Sequence, residues 1–85
     1  MAYSILLAPP AERQLRSFSS AIQKRLVNRM KTLQQDPRPP GVKKLADEDH
    51  LYRIREGDFR IIYTIQDEEL IILVLKIGNR KDVYR

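Results

Sequence analysis

The sequence predicts an α+β fold: an N-terminal strand, a helical hairpin, then an antiparallel meander of three to four strands, with the helices on one face of the sheet. Three observations carry this. Apolar residues between Ala11 and Leu33 recur at helical spacing. From Leu51 onward the chain is rich in β-branched and aromatic residues and is punctuated by short polar turns. Ahead of both lies a short apolar stretch, Tyr3 to Ala8, interrupted by Pro9-Pro10.

Each element has a local reason. Tyr3 to Ala8 reads as a strand. Pro10 suits the first turn of a helix, where its missing N–H costs nothing. Ala11, Leu15 and Phe18 then follow helical spacing. Ser19 or Ser20 suits the N-cap of a second helix. In that helix Ile22, Leu26, Met30 and Leu33 form one apolar stripe, opposite Lys24, Asn28, Lys31 and Gln35. Arg25 and Arg29 border the stripe, where their stems cover apolar surface. Asp36-Pro37 ends the helix, because the residue before proline avoids the α region. Pro37 to Gly41 is a connector, Val42 to Ala46 a short strand and Asp47 to His50 a polar turn. Leu51 to Glu56 and Phe59 to Gln66 are strands joined by Gly57-Asp58, a two-residue loop with glycine first. Asp67 to Glu69 makes the next turn. Leu70 to Ile77 is almost wholly apolar, the pattern of a strand buried on both faces, and Gly78 is expected to end it.

Composition narrows the function. The length of 85 residues allows one domain, 1–85. There is no cysteine and a single histidine, His50, which removes disulfide scaffolds, cysteine nucleophiles and His-rich metal sites. His50 follows Asp47-Glu48-Asp49 and reads as a solvated loop residue, so neither a metal nor a cofactor is expected. The missing cysteines suit a reducing cytoplasm. No targeting segment is expected, because the apolar run Ile5 to Ala8 is too short. Leu70 to Leu75 is too short to cross a bilayer, so no membrane partner is expected. The net charge is +5, and residues 1–42 carry all of it. Such a balance points towards an anionic partner.

The hairpin gives the sharpest chemical signal. Its loop pairs Glu56 with Phe59, Arg55 with Arg60, Ile54 with Ile61 and Arg53 with Ile62. Strand alternation then sends Arg53, Arg55 and Arg60 to one face. Like charges directly opposite each other destabilise a sheet. An anion seated there relieves the conflict, and arginine donates two parallel hydrogen bonds to phosphate oxygens. Lys43 and Lys44 are candidate phosphate contacts. The closing stretch Gly78-Asn79-Arg80-Lys81-Asp82-Val83-Tyr84-Arg85 adds further cations and an aromatic ring after the longest strand.

Two segments together resemble the RelE/ParE superfamily of bacterial and archaeal toxins, especially its RelE branch. They are Leu51 to Tyr63, reading LYRIREGDFRIIY, and Gly78 to Tyr84, reading GNRKDVY. The resemblance covers essentially the whole chain. It implies the toxin of a type II toxin–antitoxin system: a ribosome-dependent endoribonuclease that cuts messenger RNA in the A site through 2′-OH attack and stops translation. It places the catalytic positions on Arg53, Arg55, Arg60, Arg80 and Tyr84. Lys43, Lys44, Lys81 and Arg85 are then RNA or phosphate contacts. The implied partners are a cognate antitoxin, the ribosome and mRNA, with promoter DNA reached only through the antitoxin complex. Apolar surface near the helices and sheet edges is the expected antitoxin site. In the best-known RelE pattern lysines stand at the places of Arg53 and Arg55, and many relatives have histidine at the place of Asn79. Arginine stays protonated and is a poor general base, which leaves Lys43, Lys44 and Tyr84 for that role. On the same fold, the alternatives are a ParE-like non-enzymatic gyrase inhibitor and an inactive RNA-binding module.

Overall fold

A computed structural model describes residues 2–44 and 51–79. Among these the chain forms β1 (Ser4–Leu7), α1 (Pro9–Ser17), α2 (Ser20–Gln35), β2 (Lys43–Lys44), β3 (Leu51–Glu56), β4 (Phe59–Gln66) and β5 (Ile71–Asn79). The strands make one sheet in the order β1-β5-β4-β3-β2. β2 to β5 pair antiparallel, while β1 lies parallel to β5 at the opposite edge from β2. The two helices carry the chain from β1 across the sheet to β2 at the far edge, and the antiparallel run back through β3 and β4 brings β5 beside β1. The turn expected over Asp47–His50 and the rest of the expected 42–46 strand, Leu45–Ala46, lie outside the described residues.

The helices begin as the sequence predicts. Pro9 and Pro10 occupy the first two positions of α1. The Ser19 hydroxyl caps α2 by accepting from the Ile22 N–H at 3.3 Å. Leu26, Met30 and Leu33 of α2 and Ala11 and Leu15 of α1 are buried. They pack with Ile54, Ile61, Tyr63, Ile72, Val74 and Ile77 in one core on one face of the sheet. Ile22 is only partly buried, at the rim of that core. Phe18 meets Phe59 edge to face, with ring centroids 5.0 Å apart.

β3 and β4 have the predicted ends and the predicted register, including Arg55 across from Arg60. Gly57 takes φ +60° at the first turn position, which suits a left-handed residue before Asp58. β5 departs from expectation at both ends. It starts at Ile71 because Leu70 sits at φ +56° in the preceding turn. It passes through Gly78, which does not end the strand but pairs with Arg60. Burial on both faces is also corrected. Ile72, Val74 and Ile77 are buried, Leu73 and Leu75 half-buried and Lys76 exposed. The register shifts by one residue, from Ile62↔Lys76 to Tyr63↔Val74, and this bulge resets the alternation so that Val74 and Ile77 both reach the core. Beside the bulge, the Ile77 N–H donates to Gln14 Oε1 of α1 at 2.7 Å.

The connector between α2 and β2 is tied down along its length. Tyr63 donates its hydroxyl to the Pro37 carbonyl at 2.8 Å. Arg38 forks onto Asp67, with Nη1 and Nη2 at 3.3 and 3.0 Å from its two carboxylate oxygens. Tyr3 donates to the same carboxylate at 2.7 Å. The Arg38 guanidinium also lies 5.4 Å from the Tyr52 ring centroid, and Tyr52 stacks on Tyr63. These contacts set the path into Gly41, whose φ of +88° turns the chain into β2.

Candidate functional site

β2 is two residues long and pairs only with Tyr52 and Arg53, so among the described residues the edge of β3 is open from Ile54 to Glu56. A groove of about 330 Å³ runs along that edge, lined by Arg29, Gly41, Lys43, Arg53, Ile54 and Arg55. Four of these six side-chain positions are cationic and none is acidic. The register sets Lys43 beside Arg53. Arg55 follows two residues later on the same face and is exposed, whereas Arg53 is half-buried. Arg29 reaches the groove from α2, where its Nη1 donates to Thr32 Oγ1 at 3.2 Å. Among the described residues no carboxylate pairs with any of the four.

The predicted site residues therefore separate into groups. Lys43, Arg53 and Arg55 come together in the groove. Lys44 is exposed, pairs with Tyr52 and falls on the opposite face from Lys43, outside the described groove lining. Arg60 lies across from Arg55 but is 1% exposed, a buried guanidinium outside the groove lining and engaged within the chain. Arg55 and Arg60 thus share a face but not surroundings, one exposed to solvent and one inside. Arg80, Lys81, Tyr84, Arg85 and His50 lie outside the described residues. Among the described residues there is no cluster of histidine and acidic side chains suited to a metal ion, and no helix long and apolar enough to cross a membrane.

Arg29 was not among the residues picked from the sequence. Its signal is weak there: a border position on α2, one turn after Arg25. Arg25 has a different fate, since its Nη2 lies 3.4 Å from Glu56 Oε2. A neighbouring shelf, lined by Arg25, Asn28, Arg29, Thr32 and Glu56, shares Arg29 with the groove.

The family model for the ParE toxin of the type II toxin–antitoxin system parDE matches residues 5–84. A protein of Escherichia coli named as a RelE-like toxin is 30% identical over 87 aligned residues, covering 99% of this chain and 92% of the relative. The chain belongs to the RelE/ParE toxin superfamily, on its RelE-like branch. The fold agrees with that membership. A chain of the archaeal RelE–RelB complex from Pyrococcus horikoshii superposes with a TM-score of 0.82 at 29% identity, covering 96% of this chain and 99% of that one. The isolated RelE toxin of Escherichia coli shares the fold with a TM-score of 0.81, covering 98% of this chain and 92% of that one. For a toxin of this superfamily, a groove lined by cations and open to solvent is the described feature with the clearest chemistry.

Proposed function

We propose that this RelE-like toxin is a ribosome-dependent endoribonuclease that cuts messenger RNA in the A site and so inhibits translation. The single observation that carries the reading is the groove itself. Lys43, Arg53 and Arg55 converge with Arg29 on one open strand edge, with no acid among the described lining. Gathering like charges costs self-repulsion, and a phosphodiester is the ligand that relieves it.

The reaction follows from what the groove holds. The ribose 2′-oxygen attacks the adjacent phosphorus. A 2′-O–P bond forms, the P–O5′ bond breaks, and the products are a 2′,3′-cyclic phosphate and a 5′-hydroxyl. The 2′-OH proton goes to a base, and the departing 5′-oxygen takes up a proton. Guanidinium groups from Arg53 and Arg55 stabilise the extra negative charge of the pentacoordinate phosphorus. Buried Arg60, across from Arg55, adds positive potential in a medium where charge is poorly screened. Arginine is unsuited to take the proton. Of the three candidate bases Lys43, Lys44 and Tyr84, Lys43 is the amine in the described groove lining; it takes the proton only in its neutral amine form, and as an ammonium it donates to the phosphate instead. Arg80 supports the transition state, Tyr84 stacks on a base, and Lys81 and Arg85 hold flanking phosphates.

The regulating partner is a cognate antitoxin, as in the RelE–RelB complex of Pyrococcus horikoshii. Its site is the apolar groove of about 280 Å³ between β1 and the helices, lined in part by Ile5, Leu7, Leu15, Val27 and Met30. The cytoplasm is the compartment of such a reaction, and promoter DNA is engaged only through the antitoxin complex.

The ParE family model favours a second reading, a non-enzymatic inhibitor of DNA gyrase. Primer extension on a defined message in a reconstituted translation system separates the two. Cuts confined to the A-site codon, present with the wild type and lost on Arg55→Ala, are the expected result. Uncut message with unimpaired translation, together with inhibited supercoiling by gyrase, would sink the nuclease reading.

A further inference from the structure

Resting on the nuclease reading, we infer that Arg29 and the shelf between α2 and the open edge of β3 form a second phosphate subsite. It holds the backbone phosphodiester next to the one being cut.

The helices and connector hold four other arginines, of which three are ion-paired and Arg13 is exposed on α1 outside both hollows. Arg16 pairs with Glu12, Arg25 with Glu56 and Arg38 with Asp67. Arg29 has a hydroxyl, Thr32 Oγ1, which orients the guanidinium without neutralising it. It is half-buried and lines two hollows, with Arg53 and Arg55 lining one and Asn28 and Thr32 lining the other. α2 carries no acidic residue at all, so nothing on its own helix offsets the charge. A planar fork held in place beside an exposed guanidinium is suited to bidentate contact with a phosphodiester. Glu56 marks the far limit of the subsite, since it is the acid of the shelf and already holds Arg25.

A single-stranded RNA therefore runs from Lys43 past Arg53 and Arg55 to Arg29. Arg29 touches no reacting atom in this arrangement. It contributes to affinity and to register, and its loss acts on binding rather than on the chemical step.

The test is single-turnover cleavage on programmed ribosomes across toxin concentrations, with direct binding of a single-stranded RNA oligonucleotide at several salt concentrations. Arg29→Ala is expected to raise the half-saturating toxin concentration roughly tenfold, while the saturating rate stays within about twofold of wild type. The slope of log affinity against log salt should fall by about 0.7, the loss of one phosphate contact on a single strand. Lys24→Ala removes the same charge from the same helix outside the groove and should leave that slope unchanged. Glu56→Gln frees Arg25 and should tighten RNA binding. Arg29→Lys keeps the charge without the fork and should recover part of the affinity, which carries the test if the alanine variant folds poorly. Unchanged half-saturation and salt slope in Arg29→Ala, with a wild type that binds and cuts, would overturn the subsite and spare the nuclease. A wild type that neither binds nor cuts overturns the nuclease reading and the subsite with it. Weakened binding of poly-glutamate with unchanged RNA binding would assign Arg29 to an acidic protein partner instead.

Discussion

Arg29 on α2 and Arg38 in the connector that follows it are treated in opposite ways. Arg38 is matched by a carboxylate, a tyrosine hydroxyl on that carboxylate and an aromatic face. Its charge is absorbed by the fold, and it holds the connector against the sheet. Arg29 lines a groove with Lys43, Arg53 and Arg55, and among the described residues no acid answers any of them. Their charge is left for a ligand. Within a chain of net charge +5, cations that fasten and cations that bind are told apart by their neighbours rather than by residue type. The two regions are also joined, because the fastened connector leads through Gly41 into Lys43.

Removing the groove cations should break the comparison most strongly. A double replacement of Arg53 and Arg55 by alanine is expected to slow A-site cleavage by ~10²–10³-fold, the usual cost of losing positioned transition-state donors. The melting temperature should hold or rise, because like charges have been separated. Loss of activity together with a large drop in melting temperature would show instead that these arginines fasten the fold.

The fastened end should respond in the opposite sense. Asp67→Asn weakens the fork from Arg38 and the Tyr3 bond, so the melting temperature falls while cleavage by the folded protein persists. The same residue sets an acid limit. Hydrogen bonds from Arg38 and then Tyr3 hold its carboxyl below the usual carboxylate range. Its contribution is complete above the unfolded pKa of ~3.9 and is lost as pH falls through the lower folded value. Thermal unfolding from pH 7 down to pH 2 should show an acid decline in wild type that is shallower in Asp67→Asn.

Tyr63→Phe should cost about 1 kcal/mol, the net value of one intramolecular hydrogen bond, here that to the Pro37 carbonyl. It also removes an alkaline limb. Burial pushes the Tyr63 hydroxyl up to about 12 from 10.0, so the unfolded chain ionises first and stability is lost as pH rises between those values. Denaturant melts at pH 9 and pH 11.5 should separate wild type from variant. The smallest expected effect on activity is that of Gly41→Ala, which should cost about 1–2 kcal/mol of stability. Its cause is φ +88° alone, since no atom lies within 4 Å of the added methyl. A small accompanying fall in RNA affinity would show that the connector sets the position of Lys43.

Much of this was legible from local chemistry. The hairpin register follows from a two-residue loop with glycine first, and the Ser19 cap and the Asp36-Pro37 stop lie within a few residues of what they control. The ends of β5 were not legible. A left-handed Leu70 and a bulge at Leu75 break the simple alternation, and each is tied to a partner distant in sequence: the Leu70 carbonyl accepts from the Ser4 N–H, and the Ile77 N–H beside the bulge donates to Gln14 of α1. In the candidate site, Lys43, Arg53 and Arg55 were readable as cations of one strand system. Arg29 was not, because it reaches the groove across a helix–strand gap that no periodicity encodes. The contrast between buried Arg60 and exposed Arg55 was hidden for a related reason: paired positions share a face but not an environment.

By itself, then, the sequence determined the elements, the hairpin register, the excess of positive charge and the family motifs. These depend on side chains acting on their own backbone and close neighbours. Only the tertiary structure decided which cations were neutralised, which stayed open and which were buried. Coulomb energies depend on distance and on the surrounding medium, and both are set by residues far apart in the chain.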